Sequence, residues 1–225
     1  MTRKYLNCRS ICYRYYLELI SLLLFFGLAP HHTYAQEASG WQWSKPNAPC
    51  MGKCAVSVYG GRFVKTGMSD IATTGLPAWN WDYNNDYFVG ATISRSLLSF
   101  KNILDFEPEL GVGQRFGVQH ETEFWAALYV RYSAFPWNDY LMTSIAVSTG
   151  VNYATGVSDI EQKRGGQGGG SRLLHFLSPE ITFALPSAPD KQLFFRFHHR
   201  SGAYGIISDT KGGSQYATGG FRYKF

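Results

Sequence analysis

The segment Gly219-Gly220-Phe221-Arg222-Tyr223-Lys224-Phe225 sets aromatic rings against cations on the two sides of one strand. Side chains of an extended strand alternate with period two, so Phe221, Tyr223 and Phe225 share one face and Arg222 and Lys224 share the other. In a soluble sheet such a row of rings would be an exposed edge that invites aggregation. The pattern instead fits a strand with hydrocarbon on one side and a polar filling on the other. Only helices and closed barrels satisfy every backbone group in hydrocarbon. The segment 213–225 is therefore expected to close an antiparallel barrel.

The other end of the chain carries an export signal. Arg3, Lys4, Arg9 and Arg14 form a basic leader, and Leu17 to Ala29 is an apolar run broken by Glu18 and Ser21. At 13 residues this run is too short to span a bilayer as a helix. Pro30 ends it, and Thr33-Tyr34-Ala35 offers small residues for a cut after Ala35. Residues 1–35 are thus expected to be a signal peptide. Cys8 and Cys12 precede the apolar run and cannot be the lipid-modified cysteine of a lipoprotein. Export combined with barrel strands places the expected barrel in the bacterial outer membrane.

Removing residues 1–35 takes away four of the 21 basic residues and one of the 16 acidic ones, which leaves a net charge of +2. The basic balance thus belongs mostly to the leader, and no basic stripe with stacking aromatics marks a nucleic-acid surface. Two cysteines remain, Cys50 and Cys54, in a segment (36–53 and the residue after it) expected on the periplasmic side. An oxidising compartment permits a small loop disulfide between them. They lack nearby partners for a zinc site, and no metal is expected.

Eight extended segments follow a Trp-containing lead: 54–66, 85–97, 102–114, 121–131, 140–151, 171–185, 191–201 and 213–225. The expected fold is all-β: a single eight-stranded antiparallel transmembrane β-barrel over 54–225. Short connections near 99–101, 134–139 and 186–190 read as periplasmic turns. The longer ones, 67–84 and 152–170, read as external loops. The glycine run from Gly165 to Gly170 is a flexible loop, since no Lys-Ser/Thr helix start follows it as a phosphate cradle requires.

Alternation separates the two faces. Leu104, Phe106, Leu110 and Val112 oppose Asp105, Glu107 and Glu109; Phe124, Ala126, Leu128 and Val130 oppose Glu121, Glu123, Tyr129 and Arg131. Arg196, His198, Arg200, Arg222 and Lys224 lie on the polar side of the last two strands. Eight staves enclose little space, so these charges are expected to fill the interior as ion pairs, not to line a transport path.

The alternation places something unusual at one strand end. In Lys191 to Ser201, Leu193, Phe195 and Phe197 form the lipid face, and continuing by twos sets His199 and Ser201 on it as well. A hydroxyl beside an imidazole is the pairing used for acyl transfer. The His-x-Ser of Phe197-His198-His199-Arg200-Ser201-Gly202, late in an eight-stranded barrel, resembles that of the PagL-type lipid A 3-O-deacylases. The resemblance is concentrated in 191–225. It implies Ser201 as nucleophile, His199 as base, and lipid A of lipopolysaccharide in the outer leaflet as substrate, with no cofactor. In that family an acidic residue on the last strand orients the histidine, and Asn follows the serine. Here strand pairing brings Gln215 to the orienting place, the nearest acid is Asp209 in the loop, and Gly202 stands where Asn is usual. Backbone N–H groups of Gly202 and Ala203 are then the candidate oxyanion donors, and His175 is a second candidate base. The rival reading is a non-enzymatic structural or adhesive barrel, with Trp79, Trp81, Tyr83 and Tyr87 as a sticky rim or an aromatic girdle. An acyltransferase would need an acyl-sized apolar cavity, which a charged interior denies.

Overall fold

The computed structural model describes residues 40–166, 169–210 and 212–225. The expected leader and cleavage point lie outside the described residues. The elements are β1 (Trp41–Trp43), β2 (Cys54–Val64), α1 (Met68–Thr74), β3 (Tyr83–Arg95), β4 (Leu98–Phe100), β5 (Leu104–Phe116), β6 (Thr122–Tyr132), β7 (Met142–Ala154), α2 (Asp159–Arg164), β8 (Leu173–Leu177), β9 (Pro179–Leu185), β10 (Ala188–Ser201) and β11 (Ser214–Lys224).

Eight staves run around the barrel in the order β2, β3, β5, β6, β7, β8 with β9, β10 and β11. Every pairing is antiparallel, and β11 returns to β2 with Phe221 opposite Val58, so no edge is left open. The eight segments expected from the sequence are these eight staves. The sixth is interrupted: Pro179 has no N–H to donate, and the ladder breaks at Ser178 between β8 and β9. Its backbone is still satisfied locally, since Ser178 N–H donates to Ser148 Oγ and the Ser178 carbonyl accepts from Ser148 N–H.

The exterior is apolar on all eight staves. Val58, Ile93, Leu110, Phe124, Val147, Leu185, Leu193 and Phe221 are all exposed. The interior is polar and filled, which inverts the arrangement of a soluble domain. Toward the inner rim, Arg196 bridges Glu109 at 2.9 Å and Glu180 at 2.7 Å, and Arg131 bridges Glu107 at 3.0 Å and Glu180 at 2.6 Å. Arg222 joins the same cluster through Glu107 at 2.9 Å. Toward the outer rim, Arg115 holds Glu123 at 2.6 Å and Glu161 at 3.0 Å. Between the two ionic layers lie the buried rings of Tyr59, Phe88, Trp125, Phe176 and Tyr216. Two glycines make room for them: a Cβ on Gly111 would meet Trp125 at 2.1 Å, and one on Gly113 would meet Phe88 at 2.2 Å. His198 sits in this layer, accepting from the Tyr59 hydroxyl at 3.0 Å and donating to Glu123 at 3.0 Å. The middle of the interior is a packed core of rings, and a polar cavity of about 370 Å³ opens at the inner rim beside Glu107, Arg131 and Arg222.

A short extension lies at the inner rim. β1 pairs with β4, and β4 pairs with β5. Trp41 packs on Phe100 with ring centroids 4.7 Å apart. Arg95 clamps the following segment by donating to the carbonyls of Pro46 at 2.9 Å and Ala48 at 2.8 Å. Cys50 and Cys54 are joined, with Cα atoms 5.1 Å apart. We predict that alkylation of protein taken from the envelope labels neither cysteine before reduction and both after it. Full labelling without reductant would show that this loop is open in the cell.

Candidate functional site on the outer barrel face

β10 runs from the inner to the outer rim, and its side chains alternate throughout. Arg196, His198 and Arg200 are buried inside, whereas His199 and Ser201 project outward and are partly exposed. On the neighbouring staves the register sets His199 opposite Gln215 of β11, and Ser201 opposite His175 of β8. His175, His199, Ser201 and Gln215 therefore lie together on the outer face of three adjacent staves. Thr149 of β7 joins them, with its Oγ 2.9 Å from His175 Nε2.

The hydrogen bonds at Gln215 are directional. Its amide NH₂ donates to the Thr66 carbonyl, which turns its Oε1 toward His199 Nδ1 at 3.1 Å. An amide oxygen can only accept, so Nδ1 carries the proton and Nε2 is left with its lone pair. That tautomer is the one a general base requires. A glutamate at 215 would lack the donor and set a carboxylate oxygen against the Thr66 carbonyl. Glutamine is thus the residue that both orients the ring and holds the loop.

The loop after β2 folds over this site. Gln215 is buried although it faces outward, and so is Phe197. Trp81 covers Phe197, with ring centroids 5.5 Å apart and an edge-on contact, and reaches Phe195 at 6.3 Å. Trp81 is itself fixed by its Nε1–H donating to the Leu76 carbonyl at 2.7 Å. The loop 65–82 therefore crosses the outside of β11 to reach β10. It walls the site on one side with an indole and leaves the Ser201 end of the strand accessible.

The turn after Ser201 is unusual. The Gly202 carbonyl accepts from Gly205 N–H at 3.2 Å and from Ile207 and Ser208 N–H at 3.3 Å. Ala203 and Tyr204 take positive φ values of 50° and 57°. Left-handed backbone at two successive non-glycine residues costs about 1–2 kcal/mol each and persists only where the surroundings impose it. A Cβ at Gly202 would lie 2.3 Å from the Thr210 carbonyl oxygen and 2.4 Å from that of Ser208, so an asparagine cannot occupy this place without moving the loop. Among the described residues, the Gly202 and Ala203 N–H groups donate to no backbone carbonyl.

Neither His199 nor His175 hydrogen-bonds to Ser201 among the described residues. Catalytic hydrogen bonds commonly tighten only when substrate arrives. Strand parity in the sequence puts His199, Ser201, Gln215 and His175 on one face, and the structure has them there; the sequence gave no sign that Thr149 or Thr66 would join them. Trp81 was legible only as a rim aromatic, because nothing local tells a loop to cross a neighbouring stave.

The closed eight-stave ladder, apolar exterior and ion-paired interior define a bacterial outer-membrane β-barrel. No protein-family model matches the chain, and no curated protein matches it. Solved structures with a similar fold include the outer membrane enzyme PagL, 13% identical with a TM-score of 0.49, covering 76% of this chain and 99% of that one. Neisserial surface protein A (NspA) is 10% identical with a TM-score of 0.47, covering 77% and 97%. A transmembrane barrel from de novo design is 14% identical with a TM-score of 0.43, covering 82% and 100%.

Proposed function

We propose that this barrel is an ester hydrolase acting on an acyl chain of lipid A in the outer leaflet. Ser201 is the nucleophile, His199 the general base and Gln215 the residue that orients it. The observation that carries this reading is the Thr66–Gln215–His199 relay on a lipid-facing surface. The relay leaves the His199 Nε2 lone pair on the same outward strand face as the Ser201 hydroxyl, the residue types that acyl transfer uses. In the proposed reaction His199 Nε2 takes the Ser201 proton as Oγ attacks the ester carbonyl. The tetrahedral oxyanion is met by the Gly202 and Ala203 N–H groups. The alcohol of the sugar leaves with the proton from His199, and water then releases the fatty acid by the same exchange. Gln215 stabilises the imidazolium less than a carboxylate would, so turnover is expected to be modest.

Mass spectrometry of lipid A from cells with and without the protein tests this. Loss of the mass of one acyl chain, only when the protein is present, is expected; unchanged lipid A would favour the structural barrel. Trp81, standing over Phe197, is placed to pack an acyl chain. Trp81→Ala is predicted to raise KM about five- to tenfold with little change in kcat, the pattern of lost uniform binding. An unchanged KM, or a fall in kcat alone, would remove Trp81 from the chain-binding wall.

A further inference from the structure

A second site lies at the outer rim, beside the first. Phe63, Lys65, Asn84, Ile160, Lys163 and Arg164 line a cleft of about 350 Å³ between the end of β2 and α2. Its floor is apolar, formed by Phe63 and Ile160. Its rim carries three cations. Arg164 lies over the Phe63 ring at 5.7 Å and donates through Nη2 to the Lys65 carbonyl at 3.1 Å. Its Nη1 is buried and has no hydrogen-bond partner among the described residues. Lys163 is exposed and makes no hydrogen bond or ion pair there. Among the described residues the Lys65 ammonium pairs only with Asp82, at 3.6 Å, and both side chains are more than half exposed, so that pair holds little of its charge. The other nearby acid, Glu161, is turned away into Arg115 and Ser214.

An unsatisfied buried guanidinium N–H in a cleft with two further cations calls for an anion, and a guanidinium fork suits the oxygens of a phosphate. The apolar floor and the position at the membrane surface favour an amphiphile over a free ion. We infer that this cleft binds the phosphate of a phosphorylated glycolipid headgroup in the outer leaflet. The two sites are joined through the chain: Lys65 precedes Thr66, whose carbonyl holds Gln215. A headgroup anchored by phosphate at this cleft would present its ester-linked chains along the outer face toward Ser201. This assignment of a headgroup subsite rests on the lipid A reading for its substrate, though binding can be tested without turnover.

The test uses the mature chain with Ser201→Ala, refolded in neutral detergent, so that no hydrolysis intervenes. Binding of diphosphorylated lipid A, chemically dephosphorylated lipid A and inorganic phosphate is measured by titration calorimetry. Dephosphorylation is expected to weaken binding at least about tenfold, as is Lys163→Gln combined with Arg164→Gln, the scale of losing charge-assisted hydrogen bonds. Lys163→Gln alone changes an exposed side chain that makes no hydrogen bond or ion pair among the described residues, and should still weaken binding about threefold with the barrel folded. Equal affinity for the dephosphorylated lipid, or an unchanged affinity in the double variant, would overturn the site. Displacement by inorganic phosphate at micromolar concentration would overturn the lipid as its source in favour of the free ion. If wild-type protein hydrolyses nothing while phosphate-dependent binding persists, the hydrolase falls and this site stands.

Discussion

Ser201→Ala is expected to lower release of fatty acid from lipid A by at least about a thousandfold, and His199→Ala by about as much, with both proteins still folded as heat-modifiable barrels. Nucleophile and base act as a unit, so the double variant should lose no more than either single one. His198→Ala offers the contrast. That imidazole is buried between Tyr59 and Glu123 on the inner face, so its removal should lower stability and leave turnover per folded molecule near the wild-type value. Gln215→Leu should cost activity less, because the ring loses its orientation and keeps its base. Gln215→Glu sets two effects against each other: a carboxylate stabilises the imidazolium, but it repels the Thr66 carbonyl and loosens the loop that carries Trp81. Release measured in mixed micelles checks all six. Retention of more than a tenth of wild-type activity in Ser201→Ala would remove it as nucleophile.

Arg196→Ala is expected to destabilise the barrel by about 3–5 kcal/mol, the cost of leaving buried carboxylates without their counter-charge. Arg196 spans the interior from β10 to β5. It meets both oxygens of Glu109, at 3.0 and 2.9 Å, as well as Glu180 at 2.8 Å. Its guanidinium also lies over Tyr59 at 4.8 Å and Tyr129 at 4.9 Å. Without it, Glu109 keeps only the Trp125 N–H at 3.1 Å among the described residues, whereas Glu180 retains Arg131. Arg196→Ala with Glu109→Ala should therefore recover part of the loss, since the stranded charge is gone. Denaturant titration in micelles, followed by far-UV circular dichroism, reads both values. A loss under about 1 kcal/mol for the single variant would mean that water reaches the ionic layer.

The staves were legible because period-two alternation is local: Leu104 to Val112 and Leu193 to Phe197 state their faces without help from the rest of the chain. The position of His199 and Ser201 on the outer face, and the pairing of His199 with Gln215, follow from the same parity counted across one hairpin. What the sequence did not disclose depends on distant partners. The break at Ser178 was signalled by Pro179, but the Ser148 contacts that heal it come from another stave. The course of loop 65–82 depends on Trp81 finding Phe197, which lies over a hundred residues further along the chain. α1 and α2, seven and six residues long, are too short to announce themselves by periodicity. The outer cationic cleft needed α2 to bring Arg164 onto Phe63. The clash that excludes a side chain at Gly202 is set by the carbonyls of Ser208 and Thr210, which only the folded turn brings near.

Whether Ser201 is a nucleophile activated by His199 can be read with a serine-directed fluorophosphonate. Refolded protein is treated with the reagent in micelles, digested, and the modified peptide found by mass spectrometry. The predicted result is one adduct, on Ser201, formed by wild-type protein and lost in His199→Ala. No adduct on Ser201, or equal labelling after His199 is removed, would contradict the account.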